Sequence, residues 1–187
     1  MALTAWIGSP LAFFALFTVQ LTAQESSIAG MPPERGIYYR SGTEWVALPS
    51  DMLMPFLHAG VKDFLNVGSR DAIAEMPGSR AAIQIRNPKP TFYVRGLAAT
   101  RGLYLVQSVA RQDYRELRLP VSRRFQDWAH YSGPNIQEVD LKRVSRDVFS
   151  VTPRADLKPG EYAIASAPDL NDRWIRLGFE FGVSTAR

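Results

Sequence analysis

The hydrophobic positions follow two different patterns along the chain. Over residues 1–24 no side chain is charged and apolar residues dominate. Beyond Arg35, hydrophobic residues occur in short runs rich in aromatic and β-branched side chains, separated by Gly, Pro, Asn, Asp and Ser. Short runs bounded by such turn-forming residues are typical of β-strands. The pattern therefore predicts an apolar N-terminal segment followed by an all-β domain.

Two hairpins are predicted among these strands. The run 36–48 is interrupted at Ser41-Gly42, where Gly42 can supply the positive φ that a tight turn requires. A second hairpin is predicted where residues 111–113 separate the runs 103–110 and 114–119. The remaining predicted strands are 81–86, 91–95, 137–144, 148–152, 161–165 and 174–181. About nine or ten short strands, with no long amphipathic helical pattern, favour a sandwich or barrel over alternating strands and helices.

Two segments interrupt the strand pattern. The prolines within residues 87–90 cannot donate to a central ladder, so they predict a turn or a sheet edge. Asp51 is suited to cap a short helix through Met54, which Pro55 and Gly60 prevent from extending. The sequence thus predicts one short helix between the first hairpin and the later strands.

The segment 157–162, Leu-Lys-Pro-Gly-Glu-Tyr, predicts a turn followed by a strand with a tyrosine near its start. In Greek-key sandwiches such a tyrosine packs under the turn, and its hydroxyl bonds an upstream backbone group in a tyrosine corner. The predicted structural motif consists of Leu157, Pro159, Gly160 and Tyr162, and Ile164 occupies the position of the strand cysteine of antibody-type domains. The motif favours an immunoglobulin-like β-sandwich; a plain type II turn before a strand is the alternative.

Several of these motifs also carry a resemblance. Gly-Ile-Tyr-Tyr at 36–39, Trp-Val at 45–46, Tyr-Arg-Glu-Leu at 114–117 and Leu-Lys-Pro-Gly-Glu-Tyr-Ala at 157–163 resemble motifs of a group of secreted bacterial proteins of acidobacterial type. The resemblance spans most of residues 36–182. It implies export and a β fold, and it brings no catalytic residue or ligand with it.

The apolar leader is predicted to be an export signal. Residues 1–23 fit a signal peptide, with cleavage after Ala23 in Leu21-Thr22-Ala23, although the start lacks the usual Lys or Arg. An uncleaved N-terminal membrane anchor and a buried helix are the alternatives. Residues 24–35 are predicted to be a linker and residues 36–183 a single domain. The expected location is therefore the periplasm or the outside of the cell.

The amino-acid composition narrows the possible classes of protein further. With 46% hydrophobic residues, 21% charged residues and no cysteine, the chain is globular, and its domain must be stable without disulfides. The absence of cysteine also excludes a lipidated N-terminus. A net charge of +4 is too small to indicate a nucleic-acid partner.

Catalytic and metal-binding patterns are missing from the sequence. His58 and His130 have no neighbouring histidine or cysteine, so no metal site is predicted. No nucleophile elbow or phosphate loop occurs, and no cofactor is expected. Paired carboxylates such as Asp63, Glu75 or Asp172 could meet in a cleft, because their separation depends on the fold. A secreted hydrolase acting on a glycan is therefore the alternative function.

Arginine is concentrated in one third of the chain and alternates with aromatic residues. The candidate ligand-binding residues are Arg115, Arg118, Arg123, Arg124 and Trp128, whereas Trp45 and Trp174 are predicted to fill the core. In a strand, Arg115 shares a face with Leu117, and Arg118 shares the other face with Tyr114. The simpler interpretation is an edge hairpin whose charged side chains keep the protein soluble by preventing edge-to-edge pairing. If the arginines lie on one surface, they suit an anionic glycan.

The sequence therefore predicts an exported, non-catalytic binding or envelope-assembly module. Its expected partner is an anionic glycan or an envelope protein, and its only expected membrane contact is the leader. A third hypothesis, an envelope subunit that offers an edge strand to partners, also remains open.

Overall fold

The computed structural model describes residues 28–53, 56–57, 70–97, 103–122, 130–131, 133–166 and 176–184. These residues form strands, turns and bends without any helix, which confirms the all-β prediction. The strands are β1 (Gly36–Ser41), β2 (Glu44–Ala47), β3 (Ser50–Leu53), β4 (Phe56–Leu57), β5 (Arg70–Pro77), β6 (Gln84–Ile85), β7 (Phe92–Arg95) and β8 (Tyr104–Gln107). They continue as β9 (Val109–Ala110), β10 (Tyr114–Ser122), β11 (His130–Tyr131), β12 (Ile136–Gln137), β13 (Val139–Arg143), β14 (Val148–Pro153), β15 (Gly160–Ser166) and β16 (Arg176–Val183). The predicted leader, residues 1–23, lies outside the described residues.

The described strands form three sheets. The front sheet has the order β13-β14-β7-β1-β2, and the middle sheet has the order β12-β8-β15-β16-β3. The back sheet has the order β11-β10-β5-β4, with β9 also paired to β10. Neighbouring strands are antiparallel, except that β6 runs parallel to β16 at the edge of the middle sheet.

The middle sheet is buried on both faces because a sheet packs on each side of it. Phe92 and Val151 of the front sheet share a hydrophobic cluster with Ile164 and Phe181 of the middle sheet. On the other side, alanines of the middle sheet pack with Met76 and Leu117 of the back sheet. This explains why Tyr162, Ala163, Ile164 and Ala165 are all buried, since a strand covered on both faces has no polar side.

The two predicted hairpins have different outcomes. β1 and β2 pair across Gly42, whose φ of +62° confirms the predicted turn. Across residues 111–113, β9 pairs with β10, and the Arg111 N–H donates to the Tyr114 carbonyl at 2.8 Å. However, β8 lies in the middle sheet, so the predicted run 103–110 divides at Ser108 between two layers. Ser108 donates its N–H to the Glu161 carbonyl at 2.9 Å, which holds the crossing point.

The helix predicted near Asp51 is wrong. Residues 50–53 form β3, which pairs antiparallel with β16. Leu53 is fully buried, and a Cβ built on Gly178 would lie 2.8 Å from its Cδ1 atom. A side chain that packs directly on a glycine of a distant strand stabilises the sheet more than a local cap stabilises one helical turn.

The hydrogen bond predicted for the tyrosine corner is confirmed. The Tyr162 hydroxyl donates to the Lys158 carbonyl at 2.7 Å, and the ring stacks on Phe181. Leu157 is buried and donates its N–H to the Pro88 carbonyl at 2.7 Å, so the turn before β15 is tied to the turn at residues 87–90. Burial raises the pKa of the Tyr162 phenol, and the bond to Lys158 opposes that rise.

A second tyrosine makes the same kind of bond at the start of β1. The Tyr38 hydroxyl donates to the Glu34 carbonyl at 3.0 Å, four residues upstream. Gly36 lies two residues before Tyr38, as Gly160 lies two residues before Tyr162, and each tyrosine ring lies within 4 Å of the position a glycine Cβ would take. The shared Gly-x-Tyr spacing is the sequence signal that would have found this second corner.

Residues 28–35, predicted to be part of a linker, pack on the outward side of the front sheet. Met31 is buried with Tyr38 and Val148, and Trp45 donates its Nε1 hydrogen to the Ala29 carbonyl at 3.0 Å. Trp45 is thus half-buried on the outward face, not in the core as predicted, because its register opposite Arg40 turns it away from the middle sheet. Trp174 lies outside the described residues.

Candidate binding surface

Strand β10 separates the arginines that the sequence predicts to act together. Arg115 and Leu117 point between the back and middle sheets, where both are buried. Tyr114, Glu116 and Arg118 point the other way and are partly exposed. This alternation agrees with the faces predicted from the sequence. The structure does not place Arg115 on the same surface as Arg118, since only 1% of the Arg115 surface is exposed.

Arg115 joins the back sheet to the middle sheet. Its Nε donates to the Gly78 carbonyl at 2.9 Å, and its Nη2 donates to the Pro77 carbonyl at 2.7 Å. Nη2 also donates to Glu180 Oε2 on β16. Nη1 lies 3.8 Å from Glu161 Oε2 on β15, which is an ion-pair distance without a hydrogen bond. One guanidinium therefore fixes the end of β5 and two strands of the neighbouring sheet.

The two carboxylates that meet Arg115 are themselves largely buried, each with 12% of its side chain exposed. Glu161 Oε2 accepts the Ala81 N–H at 2.7 Å, and Oε1 accepts from Gln84 Nε2 at 3.3 Å. Gln84 fits over Gly182, where a Cβ would lie 2.1 Å from its Nε2 atom. These bonds make the Arg115 cluster a polar layer between two sheets, in which Nη1 is the one guanidinium nitrogen without a hydrogen bond, and its role is structural.

The outward face of β10 carries a different charged group, formed by Arg111, Glu116 and Arg118. Arg111 Nη2 donates to Glu116 Oε2 at 2.7 Å, and Arg118 Nη2 donates to the same oxygen at 3.1 Å. The hydrogen bond from Arg111, followed by the bond from Arg118, holds the pKa of the Glu116 carboxyl below its ordinary value. The same bond raises the pKa of Arg111. About two fifths of each arginine side chain remains exposed, at 40% and 44%.

The charges on this outward face nearly cancel. Glu75 of β5 lies directly opposite Glu116 in the register of the two strands, and Ile73 lies opposite Arg118. The two arginines are therefore matched by two glutamates within the described residues. The Arg111, Arg118, Glu75 and Glu116 side chains therefore give this face no net positive charge.

Three of the five predicted site residues, Arg123, Arg124 and Trp128, lie outside the described residues. They fall in the chain between the end of β10 at Ser122 and the start of β11 at His130. The carboxylates Asp63 and Asp172 and the imidazole of His58 also lie outside them. Among the predicted hydrolase carboxylates, the structure describes Glu75, which is exposed.

Sequence reasoning did not single out Glu161 and Glu180, the partners of Arg115. Their signal lies in the alternation of β16, Gly178-Phe179-Glu180-Phe181-Gly182, in which the phenylalanines face one side and Glu180 the other. A lone carboxylate between two glycines on a covered strand indicates a buried cationic partner. Which cation fills that role depends on the packing of the third layer, which no local pattern shows.

No group of three or more metal-binding side chains comes together in the part of the chain that the structure describes. Within the same residues, no helix has the length and apolar character to cross a membrane. Comparison with protein-family models, curated proteins and solved structures returned no match. The resemblance to secreted bacterial proteins therefore stays a prediction.

Proposed function

We propose that this protein is an exported, non-catalytic binding module with an immunoglobulin-like fold, and that it binds an acidic glycan on the outward face of the back sheet. Export rests on the uncharged apolar leader, with cleavage after Ala23. The observation that carries the binding proposal is the pair of exposed guanidiniums that Glu116 holds on one face.

The strand order supports the immunoglobulin-like assignment. In that fold one sheet has the order A-B-E-D, and the other contains C, F and G, with C′ added beside C in variable-type domains. The order β13-β14-β7-β1 corresponds to D-E-B-A, and β12-β8-β15-β16 corresponds to C′-C-F-G. The tyrosine corner then lies at the start of strand F, where the fold has it. The back sheet is an addition, with β9, β10 and β11 inserted between C and C′.

The geometry of the Arg111–Glu116–Arg118 group supports binding of carboxylate or sulfate groups. Because Glu116 accepts from Nη2 of both arginines, the guanidiniums lose little side-chain freedom when a ligand binds. Arg111 Nη1 and Arg118 Nη1 make none of these bonds to Glu116 and can donate to planar anions. Arg123 and Arg124 follow β10 directly in the chain, so they are the proposed source of the positive charge that the described face lacks.

Among the described carboxylates, the buried pair Glu161 and Glu180 supports a non-catalytic role over a glycan hydrolase. A glycosidase needs two carboxyl groups that reach the substrate, one of them able to give up a proton. Glu161 and Glu180 do converge, but Arg115 lies between them and both are largely buried. Their contacts hold sheets together instead of opening to a cleft.

Binding to immobilised polygalacturonate and heparin tests the proposal, with neutral dextran as the ligand control. The double variant Arg111→Ala/Arg118→Ala is expected to lose most of the binding, and Arg123→Ala/Arg124→Ala is expected to lose as much or more. Binding by the unaltered protein should weaken steeply with added salt, because exposed charges are screened.

Arg154→Ala is the matched control variant. Arg154 is also an exposed arginine held by carboxylates, Glu138 and Asp140, but it lies beside the front sheet. It should bind like the unaltered protein. Absence of binding to either acidic glycan, or an equal loss in the Arg154 variant, would overturn the assignment. Release of new reducing ends from the glycans during incubation would favour the hydrolase instead.

A further inference from the structure

Strand β13 is the last strand on one side of the front sheet among the described residues. It pairs with β14 on one side, and no described strand pairs with its other side. Its sequence is Val-Asp-Leu-Lys-Arg over Val139–Arg143, and it contains no proline that would block pairing. Leu141, at its centre, is 38% exposed, which makes it one of two exposed large hydrophobic side chains in the described part of the chain.

The hydrogen-bond pattern shows which backbone groups of β13 point outward. The Arg154 N–H donates to the Glu138 carbonyl and the Val144 N–H donates to the Val148 carbonyl, each at 2.9 Å. Bonded and non-bonded pairs alternate in an antiparallel ladder, so Asp140 and Lys142 direct their backbone groups to β14. The N–H and C=O groups of Val139 and Leu141 therefore point away from β14.

The side chains of β13 are complementary to those of a second copy of the same strand. If two copies run antiparallel with Leu141 opposite Leu141, then Asp140 of each lies opposite Lys142 of the other. Opposite charges then face each other twice on the outward side of the sheet. The two leucines meet on the inner side, because Leu141 lies opposite Val151 of the core. Arg154 Nε donates to Asp140 Oδ1 at 2.8 Å, which leaves Oδ2 as an acceptor for the lysine.

We propose that two copies of this protein pair antiparallel through the outer edge of β13, on a two-fold axis at Leu141. The outward N–H and C=O groups of Leu141 bond those of its counterpart in the other copy. The two front sheets then form one continuous sheet. The Asp140–Lys142 pairs fall at non-bonded positions of the new ladder, where facing side chains are closest. The inference is independent of glycan binding, because β13 and β10 lie in different sheets.

Such an interface is short, so the dimer is expected to be concentration-dependent. Native mass spectrometry and sedimentation of the purified protein over a concentration series should show monomer at the low end and dimer at the high end. The dimer is expected to dissociate reversibly to monomers on dilution.

A charge exchange tests the register. Asp140→Lys or Lys142→Asp alone places like charges opposite each other twice in a homodimer, and each is expected to weaken dimerisation about tenfold or more. A mixture of the two single variants restores opposite charges at both positions, so it should form heterodimers with nearly the original affinity. Thermal unfolding of each monomer shows whether the variants are folded.

A cysteine substitution tests the axis, because the chain has no cysteine of its own. Bonded antiparallel pairs have Cα atoms about 5.5 Å apart, which suits a disulfide. Leu141→Cys should therefore oxidise to a covalent dimer. Lys142→Cys is the matched control. The two residues 142 of the dimer are diagonal neighbours with Cα atoms about 7–8 Å apart, so they should not form a disulfide.

The outcomes separate the alternatives. Dimer formation with heterodimer rescue and crosslinking at position 141 supports the proposal. A protein that stays monomeric throughout the series overturns it, and the charges of β13 then protect an edge from pairing. A dimer that is unaffected by either charge change, or that crosslinks equally at position 142, also overturns it.

Discussion

Replacing Arg115 with methionine tests whether the buried guanidinium holds the back and middle sheets together. Methionine keeps a long apolar side chain between the two sheets but removes every side-chain hydrogen-bond donor of Arg115. The Pro77 and Gly78 carbonyls, at 2.7 and 2.9 Å, lose their partner, and the Glu180 and Glu161 carboxylates lose their counter-ion. The substitution therefore leaves buried acceptors and charges without compensation.

The expected loss of stability is large. Removing one partner of a buried ion pair costs about 3–5 kcal/mol, because the remaining charge stays desolvated. The free energy of unfolding of a native protein is about 5–15 kcal/mol in total, so the expected loss is a substantial fraction of it. The corresponding fall in Tm is about 6–20 °C for a chain of this size. Adding Glu180→Gln to the Arg115→Met variant should restore about 1–3 kcal/mol of unfolding free energy, because a neutral amide needs no counter-ion.

Urea unfolding followed by tryptophan fluorescence measures these free energies, with Arg118→Met as the matched control. Arg118 leaves the same strand on the exposed side, so its loss should cost about 1 kcal/mol or less. If Arg115→Met costs no more than Arg118→Met, or if Glu180→Gln adds a full second loss, Arg115 does not join the sheets as described.

Three further substitutions have defined outcomes. Tyr162→Phe removes the hydroxyl bond to Lys158 and should cost about 1 kcal/mol of unfolding free energy, and an unchanged urea midpoint would contradict the tyrosine corner. An alanine Cβ at position 42 would meet no atom within 4 Å, but the residue would keep a φ of +62°. Gly42→Ala should therefore lose about 1–2 kcal/mol of unfolding free energy from backbone strain alone, and a gain in stability would refute this. Arg111 lowers the pKa of Glu116, so Glu116 stabilises the fold above its ordinary pKa of about 4.5, and this contribution is lost as pH falls through the lower folded value. The stability gap between the unaltered protein and Glu116→Gln should therefore shrink in urea titrations below that pH, and a gap that widens there would contradict the sign.

Local patterns predicted features that depend on neighbouring residues. Gly42 marked a turn because few other residues adopt its backbone conformation, and β10 alternated as its sequence indicates. The bond of Tyr162 follows from a turn four residues upstream. In each of these cases the residues that decide the structure lie within a few positions of each other.

Features that depend on distant strands were not predictable in the same way. Arg115 lies on an apolar face of β10, but its partner Glu180 is 65 residues further along the chain. The segment at Asp51 has a helix-capping residue, yet Leu53 gains more from packing on Gly178. A pattern shows that a face is apolar but does not show which sheet covers it. This is why the third layer, and with it the burial of Arg115, came only from the structure.

The described arginines of this region divide into a buried one, Arg115, with a structural role, and an exposed pair, Arg111 and Arg118, which we propose binds a ligand. Nitrogen-resolved NMR of the arginine Nε–H groups during titration with an acidic oligosaccharide tests this division most directly. The Arg115 Nε–H, which donates to Gly78 at 2.9 Å, should exchange slowly with water and keep its position throughout the titration. The Arg111 and Arg118 signals should exchange rapidly and shift with added ligand. A shifting or rapidly exchanging Arg115 signal, or unmoved Arg111 and Arg118 signals, would contradict the account.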